Sequence, residues 1–237
     1  MTRAVLIDLD DTLVDHQYAI RAALKSLHES DVRLQALEYD FLVTEWQRLL
    51  ETMHDDVALG RIPIHESRMR RYHLFYEMAG SPVTRDEVLA IADRHVATYM
   101  ATRRIVPGAD LLMRALKAHV PVAIVTNNTI VEQTEKLATF GLADCVDHLV
   151  TSEEVGVAKP DPAIFVDALA RLGVDACDAV MIGDSWENDV VGAAQCGIRA
   201  VWLNRHGIAC PDAALAHELA SFEPVAGVVD IVLQRRP

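Results

Sequence analysis

A chain of 237 residues, 51% hydrophobic and with a formal net charge of −13, has the length of one large domain or of a core carrying an insert. Its acidity argues against nucleic acid as a partner, because phosphate backbones reward basic surfaces. The scattered Cys145, Cys177, Cys196 and Cys210 lack the paired spacing of a disulfide framework or zinc site. No apolar run approaches the ~20 residues that span a bilayer, and no signal-peptide pattern opens the chain. The expectation is a cytoplasmic protein with no membrane partner.

The first element is a buried strand, AVLIDL (4–9), which runs straight into Asp8, Asp10, Asp11 and Thr12. Carboxylates packed this densely repel one another unless a cation compensates. Residues 15–104 then carry no strong strand signal. Apolar residues recur at helical spacing over 39–53, where Phe41, Leu42, Trp46, Leu49, Leu50 and Met53 fall near one stripe, and again over 64–78 and 85–100. Thr84 and Glu87 have the spacing of a capping box. An all-helical insert over 15–104 is predicted, and the VPG at 106–108 marks the return to the sheet.

Beyond residue 105, apolar runs at 121–126, 146–151, 178–183 and 198–203 read as buried strands. Helical patterns lie between them, near 109–118, 129–139, 162–172 and 189–196, with Gly141, Gly173 and Gly197 where helix C-caps are expected. Strands alternating with helices imply a parallel sheet covered on both faces. The predicted fold is α/β, with a doubly wound, Rossmann-like core formed by 1–14 and 105–237 and a separate helical domain over 15–104.

In such sheets, ligands bind beyond the carboxyl ends of the strands. The first strand leads into Asp8, Asp10 and Thr12, the second into Thr126, Asn127 and Asn128, and the fourth into GDSWEND with Asp184 and Asp189. The loop after the third strand carries Lys159 in AKPDP. The chemistry these clusters share is phosphoryl transfer. Mg²⁺ favours one or two carboxylates with waters and a phosphate oxygen, and Asp8 with Asp184 supplies the carboxylates. An ionised aspartate can attack phosphorus, while a second carboxyl group protonates the leaving oxygen and later activates water. Thr126 and Lys159 then suit the non-bridging oxygens.

Taken together, DLDDTLVD, VTNN, AKPDP and GDSWENDVVGA resemble, in order, the four motifs of the haloacid dehalogenase (HAD) superfamily of hydrolases. The resemblance implies that Asp8 is the nucleophile and Asp10 the general acid/base, which also lends its backbone carbonyl to Mg²⁺. It implies Asp184 and Asp189 as further metal residues and Thr126, Asn127 and Lys159 as the phosphate cradle. Ser185 and Asn188 are expected to shape the loop. The helical insert is similar to the α-helical cap of one subgroup, whose Arg61, Arg68, Arg70, Arg71, His65 and His73 are candidates to meet the substrate.

The implied activity is that of a Mg²⁺-dependent phosphatase acting on a small phosphorylated metabolite through an aspartyl-phosphate. A phosphomutase would keep the same core residues. A 2-haloacid dehalogenase of this superfamily lacks an acid where Asp10 stands, since halide leaves without a proton. A catalytically idle binding protein is the alternative from another class, although no motif residue is substituted. The expected assembly is a monomer or homodimer.

Overall fold

The structure, a computed structural model, describes residues 1–59 and 61–234. It divides into two compact units, Met1–Val14 with Ile105–Pro237, and Asp15–Arg104.

The chain enters through β1 (Ala4–Ile7), every residue of which is buried. It then forms the helical unit: α1 (His16–Ser30), α2 (Val32–Gln35), α3 (Tyr39–Ala58), α4 (Ile64–Met78) and α5 (Arg85–Thr102). One apolar face of each long helix closes a common core that includes Leu24, Leu27, Leu42, Trp46, Leu49, Phe75, Tyr76, Val88 and Ile91. Phe41 departs from the predicted stripe and is 45% exposed. It stands one position off the i, i+4 series Leu42–Trp46, and a step of 100° turns it outward. The start of α5 carries the predicted capping box, with Thr84 Oγ1 accepting from the Glu87 amide and Glu87 accepting from that of Thr84. The two ends of the unit are tied together, since Arg104 donates to Asp15 Oδ2 at 2.6 Å and the Asp15 amide donates to the Arg104 carbonyl.

The other unit continues with α6 (Ala109–Lys117), β2 (Val122–Thr126), α7 (Ile130–Thr139), β3 (His148–Thr151), α8 (Ser152–Val155), α9 (Pro162–Leu172) and β4 (Ala179–Gly183). A π-helical turn over Trp186–Val191 leads into α10 (Gly192–Gln195), followed by β5 (Arg199–Leu203), β6 (Ala216–Leu219) and α11 (Val225–Leu233). The sheet order is β3-β2-β1-β4-β5-β6, and every pairing is parallel. Side-chain alternation sorts the strands between two cores. Val5, Ile7, Ile124 and Ile182 pack with α6 and α11, while Leu6, Val125 and Met181 pack with α9 and α10.

The winding reverses at β1, whose neighbours are β2 on one side and β4 on the other. That reversal is the switch point at which doubly wound sheets bind ligands. Among the described residues, no helix is long and apolar enough to cross a membrane.

Candidate active site

Register brings the strand-end residues together. Ile7 pairs with Ile182, and the Asp8 amide donates to the Ile182 carbonyl at 2.9 Å, so the loops after β1 and β4 emerge side by side. Asp8, Asp184 and Asp189 each offer a carboxylate oxygen, and these oxygens lie within 4.8 Å of one another. Thr12 locks the two loops: its hydroxyl donates to Asp184 Oδ1 at 3.2 Å and accepts from the Asp184 amide at 3.0 Å. Between Asp10 and Thr12 the backbone turns through Asp11 at φ 64°, a left-handed conformation that short polar side chains tolerate better than most. The Arg205 guanidinium donates to the Asp11 carbonyl at 2.9 Å.

Asp189 reaches this cluster from the π-helical turn, where one added residue per turn re-aims side chains and often marks a functional site. Its approach depends on Gly183, because a Cβ there would lie 2.1 Å from Asp189 Oδ2. Ser185 shapes the same turn, accepting from the Asn188 amide while its own amide donates to Asp189 Oδ2. Trp186 packs edge-on against Trp202, and the Trp202 indole donates to the Asp184 carbonyl.

Lys159 sits between the acids, with Nζ at 2.7 Å from both Asp8 Oδ1 and Asp189 Oδ1. Its placement explains Asn127, whose side-chain amide donates to the Lys159 carbonyl and accepts from the Lys159 amide. Asn127 therefore holds the lysine loop against the loop after β2, a job that its expected place in a phosphate cradle does not require. Burial raises the Asp8 pKa to about 7 against the opposing pull of Lys159, with Asp189 adding to the rise. Asp184 is pushed well above the usual carboxylate range by burial and then by Asp8 and Asp189. Burial disfavours the Lys159 ammonium, but Asp189 and Asp8 outweigh it and hold its pKa above the ordinary range. One ammonium among three enclosed carboxylates leaves negative charge uncompensated, and an all-oxygen donor set fits a hard cation such as Mg²⁺.

The Asp10 carboxylate takes a different route. Lys136 Nζ lies at 2.6 and 2.7 Å from its two oxygens, and Gln133 and Asn128 donate to Oδ2. Gln133 also donates to Thr126 Oγ1 at 2.8 Å, linking Asp10 to the expected phosphate-binding threonine. The sequence reading missed Lys136 and Gln133. Both are buried beside Leu137 on α7, whereas Ile130 and Val131 of the same helix are exposed, so the local residue pattern carries no signal of their burial.

In the helical unit, Arg71 and His95 are buried against Trp46, with the Arg71 guanidinium carbon 5.1 Å from the ring centre and the His95 ring stacked at 4.8 Å. Burial, reinforced by Arg71 and Arg68, lowers the His95 pKa to about 3. Both residues are part of that unit's core. Arg61, Arg70 and His65 lie at its surface.

A parallel sheet with acids at its switch point, a lysine from the third loop and a helical unit inserted after β1 is the architecture of a HAD hydrolase. The model of the haloacid dehalogenase-like hydrolases matches residues 2–197, and the chain belongs to that family of enzymes. It is 35% identical over 205 residues to a ribulose-1,5-bisphosphate 5-phosphatase of Halopiger xanaduensis, covering 85% of this chain and 84% of the relative. It is 32% identical to a glyceraldehyde 3-phosphate phosphatase of Pyrococcus abyssi, with 86% and 82% covered. Among solved structures, a 2-haloacid dehalogenase from Pseudomonas syringae superposes with a TM-score of 0.66 at 29% identity, over 98% of this chain and 99% of that one.

Proposed function

We propose that the protein is a Mg²⁺-dependent phosphatase that hydrolyses a small phosphate monoester through an aspartyl-phosphate on Asp8. The observation that carries this reading is the enclosure of Asp8 between Lys159 and the acids Asp184 and Asp189. A carboxylate used only for structure would pair with one cation. Here a nucleophile, a counter-charge and two further oxygen donors meet at one strand end.

Asp8, Asp184 and Asp189 would hold Mg²⁺, with the Asp10 carbonyl as a further oxygen, and the ion would offset the negative charge of the phosphate and of Asp8. Asp8 in its ionised form attacks phosphorus, and the bond to the leaving oxygen breaks. Asp10 gives its proton to that oxygen, because an alkoxide is a poor leaving group. In the second step Asp10 takes a proton from water, the water oxygen attacks phosphorus, and Asp8 is released with inorganic phosphate. Lys159 holds Asp8 in line and balances the anionic oxygens in both steps. Thr126 offers its hydroxyl to the same oxygens, while Asn127 acts through the Lys159 backbone.

Asp10 separates this reading from the dehalogenase reading that the Pseudomonas structure raises, since halide leaves without protonation. The named phosphatase relatives support the same side. We assign the 15–104 unit the role of substrate-selecting cap.

The test is acid quenching of turnover on a radiolabelled phosphate monoester. Label should stay on the parent protein, vanish in Asp8→Asn, and fail to appear in EDTA until Mg²⁺ is restored. Undiminished turnover by folded Asp8→Asn would overturn the covalent route.

A further inference from the structure

We propose that Lys136, with Gln133, is the positioning residue for Asp10, holding its carboxylate in the orientation from which it serves the leaving group. The inference rests on the phosphatase reading above and adds residues that it does not use. Each acid of the Asp8–Asp10 pair has its own lysine: Lys159 meets Asp8, and Lys136 meets Asp10. The two ammonium groups come from separate elements, the loop after β3 and helix α7.

Lys136 is an unlikely residue to bury for packing alone. Lysines are almost never enclosed unless paired, yet this one is 2% exposed and its ammonium spans both oxygens of Asp10. Gln133 lies three residues earlier on α7, so the two side chains share one helix face. Gln133 is fully buried and divides its amide between Asp10 Oδ2 and Thr126 Oγ1. Asp10 stands on a tight loop with its side chain 21% exposed. A carboxylate there has rotamer freedom that Lys136 and Gln133 of α7, with Asn128 just before it, restrict. A misaligned catalytic group costs rate with little change in substrate binding.

The experiment compares Lys136→Met, Lys136→Arg, Asp10→Asn and the double variant Lys136→Met/Asp10→Asn on aryl phosphates, from p-nitrophenyl to unsubstituted phenyl phosphate. Circular dichroism and melting first establish that each variant is folded. Lys136→Met should lower kcat ~10- to 100-fold on phenyl phosphate, and much less on the nitrophenyl ester, with KM changed less than ~3-fold. Its dependence on leaving-group basicity should steepen as that of Asp10→Asn does, and Lys136→Arg should recover part of the loss. The double variant should be no slower than Asp10→Asn, because a residue acting through Asp10 has nothing left to position.

If Asp10→Asn steepens the dependence while Lys136→Met keeps the parental slope, the positioning role is overturned and the phosphatase reading stands. The same follows if the two losses multiply in the double variant. If Asp10→Asn itself keeps the parental slope, the general-acid reading falls and this inference with it. Should Lys136→Met fail to fold, Gln133→Met tests the same clamp. It should show the same change of slope at smaller size, and a parental slope there counts against the clamp.

Discussion

In the sheet-containing unit, Lys159 is enclosed against Asp8 and Asp189. In the helical unit, Asp31 is enclosed against Arg33 at 2.7 Å and Tyr76 at 2.8 Å. Both are buried charge clusters, but their balance differs. Asp31 gains more from its partners than burial takes away, and the Arg33 hydrogen bond leads the fall of its pKa to about 2. Asp8 is left with burial dominant and its pKa near 7. The Asp31 cluster stabilises the fold at neutral pH, whereas the ionised Asp8 cluster costs stability there. The two carboxylates look alike as ion pairs but shift in opposite directions, because burial dominates at Asp8 and hydrogen-bonded partners dominate at Asp31.

The sharpest way to break this contrast is Lys159→Ala. It should reduce kcat/KM by ~10²- to 10³-fold and, by leaving carboxylates enclosed without their ammonium, destabilise the metal-free unit by about 3 to 5 kcal/mol. Steady-state kinetics and denaturant unfolding in EDTA read both effects, and adding Asp8→Asn should recover part of the stability but none of the activity. Retained activity in Lys159→Ala would reduce this lysine to a structural role.

Divalent cation is the next lever. The raised pKa of Asp8 means that the metal-free fold takes up protons relative to the unfolded chain between about pH 4 and pH 7, and the upward shift of Asp184 acts in the same direction. Those groups therefore cost stability progressively as pH rises through that window. Protons and Mg²⁺ compete for the same oxygens, so the rise in Tm with Mg²⁺ should be larger at pH 8 than at pH 5.5. The stabilisation behind that rise is about 2.7 kcal/mol at a hundredfold excess of Mg²⁺ over Kd. An equal rise at both pH values would remove Asp8 and Asp184 from the metal site.

In the helical unit the sign reverses. The stability contributed by the depressed Asp31 pKa is present above about pH 4 and is lost as pH falls through about 2. Asp31→Asn should therefore cost about 2 kcal/mol at pH 7 and less in acid, without changing the dependence of rate on leaving group. Thr84→Ala should have the smallest effect, about 1 kcal/mol from the lost cap, seen as a lower melting point. A change in leaving-group dependence from either substitution would end the separation of roles between the units.

Much of the catalytic unit was legible because its signals are local. An apolar run ending in clustered acids predicts both a strand and a site, and the four strand-end clusters come together as the parallel order requires. β6 went unread because AHEL is a short edge strand with two exposed residues, and edge strands show little alternation. α11 was missed because VAGVVDIVL is apolar almost throughout, and such a run has no period to tell helix from strand. In the helical insert, periodicity gave α3, α4 and α5, whereas the pairing of Asp31 with Tyr76 joins segments that share no local pattern.

The sequence by itself determined the alternation of strands and helices, the helical insert, and the acids, threonine and lysine at the strand ends. Each of these follows from neighbours within a turn or a strand. Only the tertiary structure decided which charges meet. It set Lys136 against Asp10 across 126 positions of chain, turned Asn127 into a clamp on Lys159, and required Gly183 to leave room for Asp189. Such contacts depend on the sheet bringing distant loops to one edge, and the energy of an enclosed charge depends on its surroundings in space rather than on its neighbours in the chain.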